Sequence, residues 1–198
     1  MRYAKADHIA ALVNNMAPDH EVGAASPEAV ENKRVANCFA RAALVGAGLV
    51  GMGVHKRDMT MLVGMNHGRA KAAYGISSEV PYWYGHAMLV VHDKRPTVVF
   101  DSTDHVFAYS ARVAGWEQSY HGEPPLFLVD TGRLFAPPSE YAHTRMPGAV
   151  WRLGAHSTVH TLAEGIEFYQ QMHPVLAAEP EWELEDFRVA YRALSGLQ

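Results

Sequence analysis

Three residues have the chemistry for covalent catalysis: Cys38, His86 and Asp101. A thiolate attacks an amide or ester carbonyl, an imidazolium protonates the leaving group, and a carboxylate fixes the imidazole tautomer and supports its charge. Such residue types occur together in most chains, so their placement has to carry the argument. Cys38 follows Asn37, a good helix N-cap, and opens a helical stretch over residues 38–50. The partial positive charge at a helix start lowers a thiol's pKa and favours the thiolate. A backbone N–H in that turn points out along the helix axis and can donate to an oxyanion. The plainer reading of a lone cysteine is a small buried hydrophobe.

Residues 86–92 (His-Ala-Met-Leu-Val-Val-His) and 97–101 (Thr-Val-Val-Phe-Asp) read as strands, with Asp93-Lys94-Arg95-Pro96 as the turn of a hairpin. A turn of that length pairs His92 with Thr97, Val91 with Val98, Val90 with Val99, and Met88 with Asp101. His86, two residues from Met88, then shares a face with Asp101. Diagonal neighbours on one face lie ~7–8 Å apart at the backbone, within reach of an imidazole and a carboxylate. A slip of one residue would put the two on opposite faces.

Three short motifs, Asn37-Cys38-Phe39-Ala40-Arg41-Ala42, Gly85-His86-Ala87-Met88-Leu89-Val90-Val91 and Phe100-Asp101-Ser102-Thr103, make the chain similar to the transglutaminase-like, papain-related cysteine enzymes. Met88 stands where that superfamily often has an aromatic residue, and Ser102 where it often has proline. The similarity spans residues 30–105. It implies a papain-like/transglutaminase-like core, in which a central buried helix bearing the cysteine packs on an antiparallel sheet. It implies Cys38 as nucleophile, His86 as base and acid, and Asp101 as the residue that orients the histidine. Peptidase, deamidase and transglutaminase all remain open, because they differ in pocket and acceptor. Papain-like enzymes commonly carry a glutamine several residues before the cysteine. Asn32 occupies such a position and has the amide for an oxyanion donor, although a solvated helix asparagine is the plainer reading. Trp83 and Tyr84 precede the histidine and either wall an acyl pocket or pack the core.

Other patterns carry less. Gly46-Ala47-Gly48-Leu49-Val50-Gly51 matches G-x-G-x-x-G, but it closes a helical run instead of following a strand, and no acid stands near residues 64–67 to bind a ribose. No cofactor is expected. The 12 histidines invite a metal reading. His156 and His160 are spaced for one helix face, but no glutamate lies between them and the helix start there is doubtful. His86, His92, Asp101, Asp104 and His105 are further candidates, yet scattered surface histidines account for them, and no metal is expected. The short clusters Arg69-Ala70-Lys71 and Lys94-Arg95 read as solvated. Residues 66–80 read as a loop near the histidine strand, able to gate substrate.

These residues need elements to position them. Residues 4–16 predict a helix, with Ile9, Leu12, Val13 and Met16 at helical spacing, and residues 17–25 a loop. Ser26-Pro27-Glu28 reads as a helix start. Apart from Arg41, residues 38–50 are apolar or small on every side, the pattern of a helix buried mid-domain, and the glycines at its end would allow close packing on a sheet. Residues 60–64 and 126–129 are weaker strand candidates. Residues 158–176 and 180–194 predict helices, the second with a buried stripe of Trp182, Phe187, Tyr191 and Leu194. Helix, then strands, then helices is an α+β order. The expected organisation is one domain over 1–198, with a catalytic core over about 26–135 and a C-terminal helical part over about 155–198.

Composition bounds the function. The chain has 198 residues, 48% of them hydrophobic, and a net charge of −4. That balance argues against nucleic acid as the main partner. One cysteine excludes a disulfide within the chain and any multi-cysteine zinc site. The first residues lack an apolar signal core, and the longest mostly apolar run, 42–54, is shorter than the ~20 residues that span a bilayer. The expectation is a cytoplasmic enzyme with no membrane partner, acting on a peptide or protein substrate through a thioester at Cys38. Hydrolysis of an amide is favoured over transfer to an amine, since water needs no second pocket. An N-acyltransferase would share the triad but need a donor pocket. A non-catalytic binding or inhibitory module on the same fold would have no use for an activated thiol.

Overall fold

A computed structural model describes residues 3–19, 21–63, 87–92, 97–102, 106–114, 128–134, 150–152 and 158–196. The first helix, α1 (Tyr3–Asn14), buries Ile9 and Val13, and Met16 follows them into the core. The expected loop after it holds more order than its sequence shows. Two-residue strands β1 (Ala17–Pro18) and β2 (Val35–Ala36) pair in parallel, and a 3₁₀ turn spans Val22–Ala25. The Ser26 hydroxyl accepts from the Ala29 N–H at 3.1 Å, which is the predicted N-cap. That helical segment runs into a π turn, Ala29–Lys33, and stops at Arg34, whose φ of 56° lies in the left-handed region.

Helix α2 (Cys38–Gly51) is buried from Phe39 to Leu49, as its all-round apolar sequence requires. Its one charge, Arg41, is fully buried. The guanidinium donates to the carbonyls of Ala36 (3.1 Å), Val13 (3.4 Å) and Met16 (2.9 Å). Through Val13 and Met16 it satisfies acceptors at and just beyond the end of α1, where the helix dipole favours a cation, and through Ala36 it ties β2 to the same group.

Among the described residues, seven antiparallel strands form one sheet: β3 (Met59–Val63), β4 (Ala87–Val91), β5 (Thr97–Ser102), β6 (Val106–Ala114), β7 (Leu128–Leu134), β8 (Val150–Arg152) and β9 (Thr158–Thr161). Their order is β8-β7-β6-β5-β4-β3-β9, a meander whose last strand returns to the opposite edge. Two helices follow, α3 (Leu162–Met172) and α4 (Leu184–Ser195), giving an α+β architecture with C-terminal helices. α4 starts at Leu184, later than the expected 180, but the predicted stripe is buried: Phe187 fully, Tyr191 and the preceding Trp182 nearly so, with Leu194 packed against the same core.

Three expectations are corrected. Residues 158–161 are a strand, not the start of a helix. The β-branched Thr158, Val159 and Thr161 suit a ladder, and Thr161 then caps α3 in a box with Glu164. Strands β6 and β8, absent from the sequence reading, extend the sheet. Finally, the α2 glycines serve helix–helix contact and not contact with the sheet. A Cβ on Gly46 would stand 2.6 Å from the Leu162 side chain, and one on Gly48 would stand 2.5 Å from the Tyr191 ring.

The helices take one face of the sheet. Met59, Met61 and Val63 of β3, Ala87, Leu89 and Val91 of β4, and Phe100 of β5 join α1–α4 in a single apolar core. Gly165 of α3 sits so close to Met61 that a Cβ there would lie 2.9 Å from its side chain. Leu62, Met88 and Val90 alternate to the other face and are also fully buried.

Candidate functional site at the start of the central helix

Asn37 caps α2 as its type predicts: its Oδ1 accepts from the Ala40 N–H at 3.0 Å. Cys38 is the first residue of the helix and is half-buried, so its thiol sits at the positive end of the dipole with partial access to solvent. The other end of the Asn37 amide is held from two sides. Its Nδ2 donates to the Tyr169 hydroxyl at 3.2 Å and to the Glu21 carbonyl at 3.4 Å. Tyr169 comes from α3. Its ring stacks on Phe39 with centroids 3.9 Å apart and planes at 5°, and His173 packs against it at 4.6 Å. Burial first, and then the charge of Cys38, push the Tyr169 hydroxyl up to about 12, with the Asn37 hydrogen bond working in the other direction. The phenol is therefore neutral at any physiological pH and close enough to Cys38 to feel its ionisation.

The path of the chain fixes which end of the sheet this site occupies. A short connection after α2 leads back into β3 at Met59, which pairs with Val91, so α2 ends near the end of β4. Independently, β9 brings Thr161 beside Thr60, and α3 runs from there past Met61 to Tyr169 and the start of α2. Both routes carry the N-terminus of α2 toward the end of the sheet where β3 finishes, β4 begins at Ala87 and β5 finishes at Ser102.

The predicted hairpin register is the observed one, with Val91 opposite Val98, Val90 opposite Val99 and Met88 opposite Asp101. Asp101 thus stands at the sheet end toward which α2 begins. Alternation from Phe100, however, puts position 101 on the Met88 face, opposite the face that carries the helices. His86, Trp83 and Tyr84 lie outside the described residues, as do Asp104, His105 and His156. Asn32 is exposed in the π turn Ala29–Lys33. His160 stacks on Phe168 at 4.3 Å, and burial holds it below its ordinary pKa. His92 meets the Thr60 hydroxyl at 3.0 Å and is likewise held low by burial, against the opposing pull of Asp58. Among the described residues, no group of three or more His, Cys, Asp or Glu side chains is arranged to hold a metal ion. Among them, too, no helix is long and apolar enough to cross a membrane.

Sequence reasoning missed Tyr169. The residue is 132 positions from its partner Asn37, and no local pattern links a tyrosine on one amphipathic helix to the cap of another. No protein-family model matches the chain, and no curated protein or solved structure matches it.

Proposed function

We propose that this chain is a thiol-dependent acyl-transfer enzyme with a papain-like or transglutaminase-like core, in which Cys38 is the nucleophile. The observation that supports the reading best is the half-buried cysteine at the capped start of a buried helix. In this reading the Cys38 sulfur attacks an amide carbon and a C–S bond forms. His86 gives its proton to the departing amine as the C–N bond breaks, and Asp101 orients the imidazole. Water then attacks the thioester with His86 as base, releasing a carboxylic acid and restoring the thiol. An amine in place of water would give a new amide. The reading requires His86 to bridge from the Asp101 face to Cys38 round the end of the sheet.

Cys38 is the only thiol, so intact mass reports its alkylation without site mapping. Fast labelling well below pH 8.5, the ordinary thiol value, that is lost in His86→Ala is the expected result. On a panel of peptide and side-chain amides, Cys38→Ala should abolish turnover while the fold survives. Turnover retained in that variant on any amide would sink the proposal. The place of Asp101 on the face away from α2 favours a second reading, a non-catalytic binding module. That reading predicts an ordinary thiol titration in both wild type and His86→Ala.

A further inference from the structure

We propose that Tyr169 is a positioning residue for the Cys38 thiolate, its hydroxyl holding in place the Asn37 amide that caps the helix start. This rests on the reading of Cys38 as a nucleophile. The argument begins with the Asn37 amide. Its oxygen is occupied by the Ala40 N–H, and its nitrogen donates to the Tyr169 oxygen and the Glu21 carbonyl. The amide is therefore fixed in one orientation, oxygen toward the helix. A phenol has one proton to donate, and here its oxygen already accepts from Asn37, so the O–H is left for another acceptor. The ring cannot swing away, because it lies flat on Phe39 and is backed by His173.

Cys38 is the charge that the hydroxyl feels. Losing the hydroxyl would release the Asn37 amide nitrogen, loosen the cap and weaken the helix start that favours the thiolate. Packing alone accounts for the stacked ring, and a phenylalanine would supply it equally well. The hydroxyl, bonded to the residue that caps the nucleophile's helix, is what packing leaves unexplained.

Tyr169→Phe keeps the stack and removes the hydroxyl. Following Cys38 alkylation by intact mass across pH, the midpoint should rise by about one unit, making labelling about tenfold slower at pH values below both midpoints. The melting temperature should change little. His173→Gln, altered on the other side of the ring, should leave the midpoint in place. An unchanged midpoint in Tyr169→Phe would overturn the inference. Should that variant fail to fold, phenolate absorbance provides the test in the wild-type protein and Cys38→Ser. The highest tyrosine midpoint should fall when the sulfur is replaced, and an unmoved one would overturn the inference equally. The two readings fail separately. If Cys38→Ala is inactive and Tyr169→Phe titrates like wild type, the enzyme stands and the role of Tyr169 does not. If the midpoint moves but no amide is turned over, the thiolate environment stands and the enzyme does not.

Discussion

The two faces of the β4–β5 hairpin are equally buried at β4 but differ in what they meet. Ala87, Leu89, Val91 and Phe100 face the helices and belong to the main core, on the side where Cys38, Asn37 and Tyr169 gather. Met88 and Val90, with position 101 in register beside Met88, take the other side. A strand buried on both faces loses the polar–apolar alternation that would reveal its orientation. A thiol on one side and a carboxylate position on the other can work together only round the sheet end. The difference teaches that correct register and correct face are separate achievements, and function needs both.

Asp101→Ala gives the largest effect and asks which face the thiol consults. If Asp101 orients the general base, turnover should fall by about 10²–10⁴-fold, with the alkylation midpoint of Cys38 shifted as well. A loss comparable to that of Tyr169→Phe, or none, would assign the chemistry to groups on the helical face.

Arg41 sharpens the helical side of the comparison. Replacing its guanidinium in Arg41→Met leaves the carbonyls of Val13, Met16 and Ala36 without that donor in a buried site. A stability loss of about 3 kcal/mol or more in urea is expected, since each buried acceptor left unmet is costly. Arg41→Lys should recover only part of it, because an ammonium lacks the planar fork that reaches three carbonyls. Equal stability of wild type and Arg41→Met would show that water satisfies these groups.

The smallest effect is on pH dependence, and it samples both faces. His92 lies against Thr60 on the far side, while His160 pairs in register with Met61 on the helical side. Burial lowers both below the ordinary value of 6.5. The unfolded chain therefore takes up protons first as pH falls. Stability is fully present above 6.5, decreases as pH drops through that value, and levels off once the folded protein is protonated too. Melting temperatures between pH 8 and 5 should show this decline. His92→Gln and His160→Gln should each flatten it, and a profile as steep as wild type in both would mean that other groups govern the acid limb.

Much of the local structure was legible because it depends on neighbours in sequence. Asn37 before a long apolar run announced a capped helix, and Ser26-Pro27 another. A turn of fixed length between two apolar runs set the pairing of Val90 with Val99. Phe187 and Tyr191 mark the buried side of α4, and Trp182 just before it is buried with them. Thr161 caps α3 in a box with Glu164, whereas helical periodicity alone starts that helix at 158, over a β-branched run that a strand suits better.

By itself, then, the sequence determined the caps, the hairpin register and the place of Cys38 in the first turn of α2, since each follows from turn length, periodicity or a side chain bonding within a few residues. The tertiary structure alone decided that α2 and α3 take the Leu89 face of β4, that β9 closes on β3, that Gly46 and Gly48 receive Leu162 and Tyr191, and that Tyr169 meets Asn37. Those choices join residues far apart in the chain through contacts that carry no period and no fixed spacing. They are settled only when all the apolar surfaces are buried together.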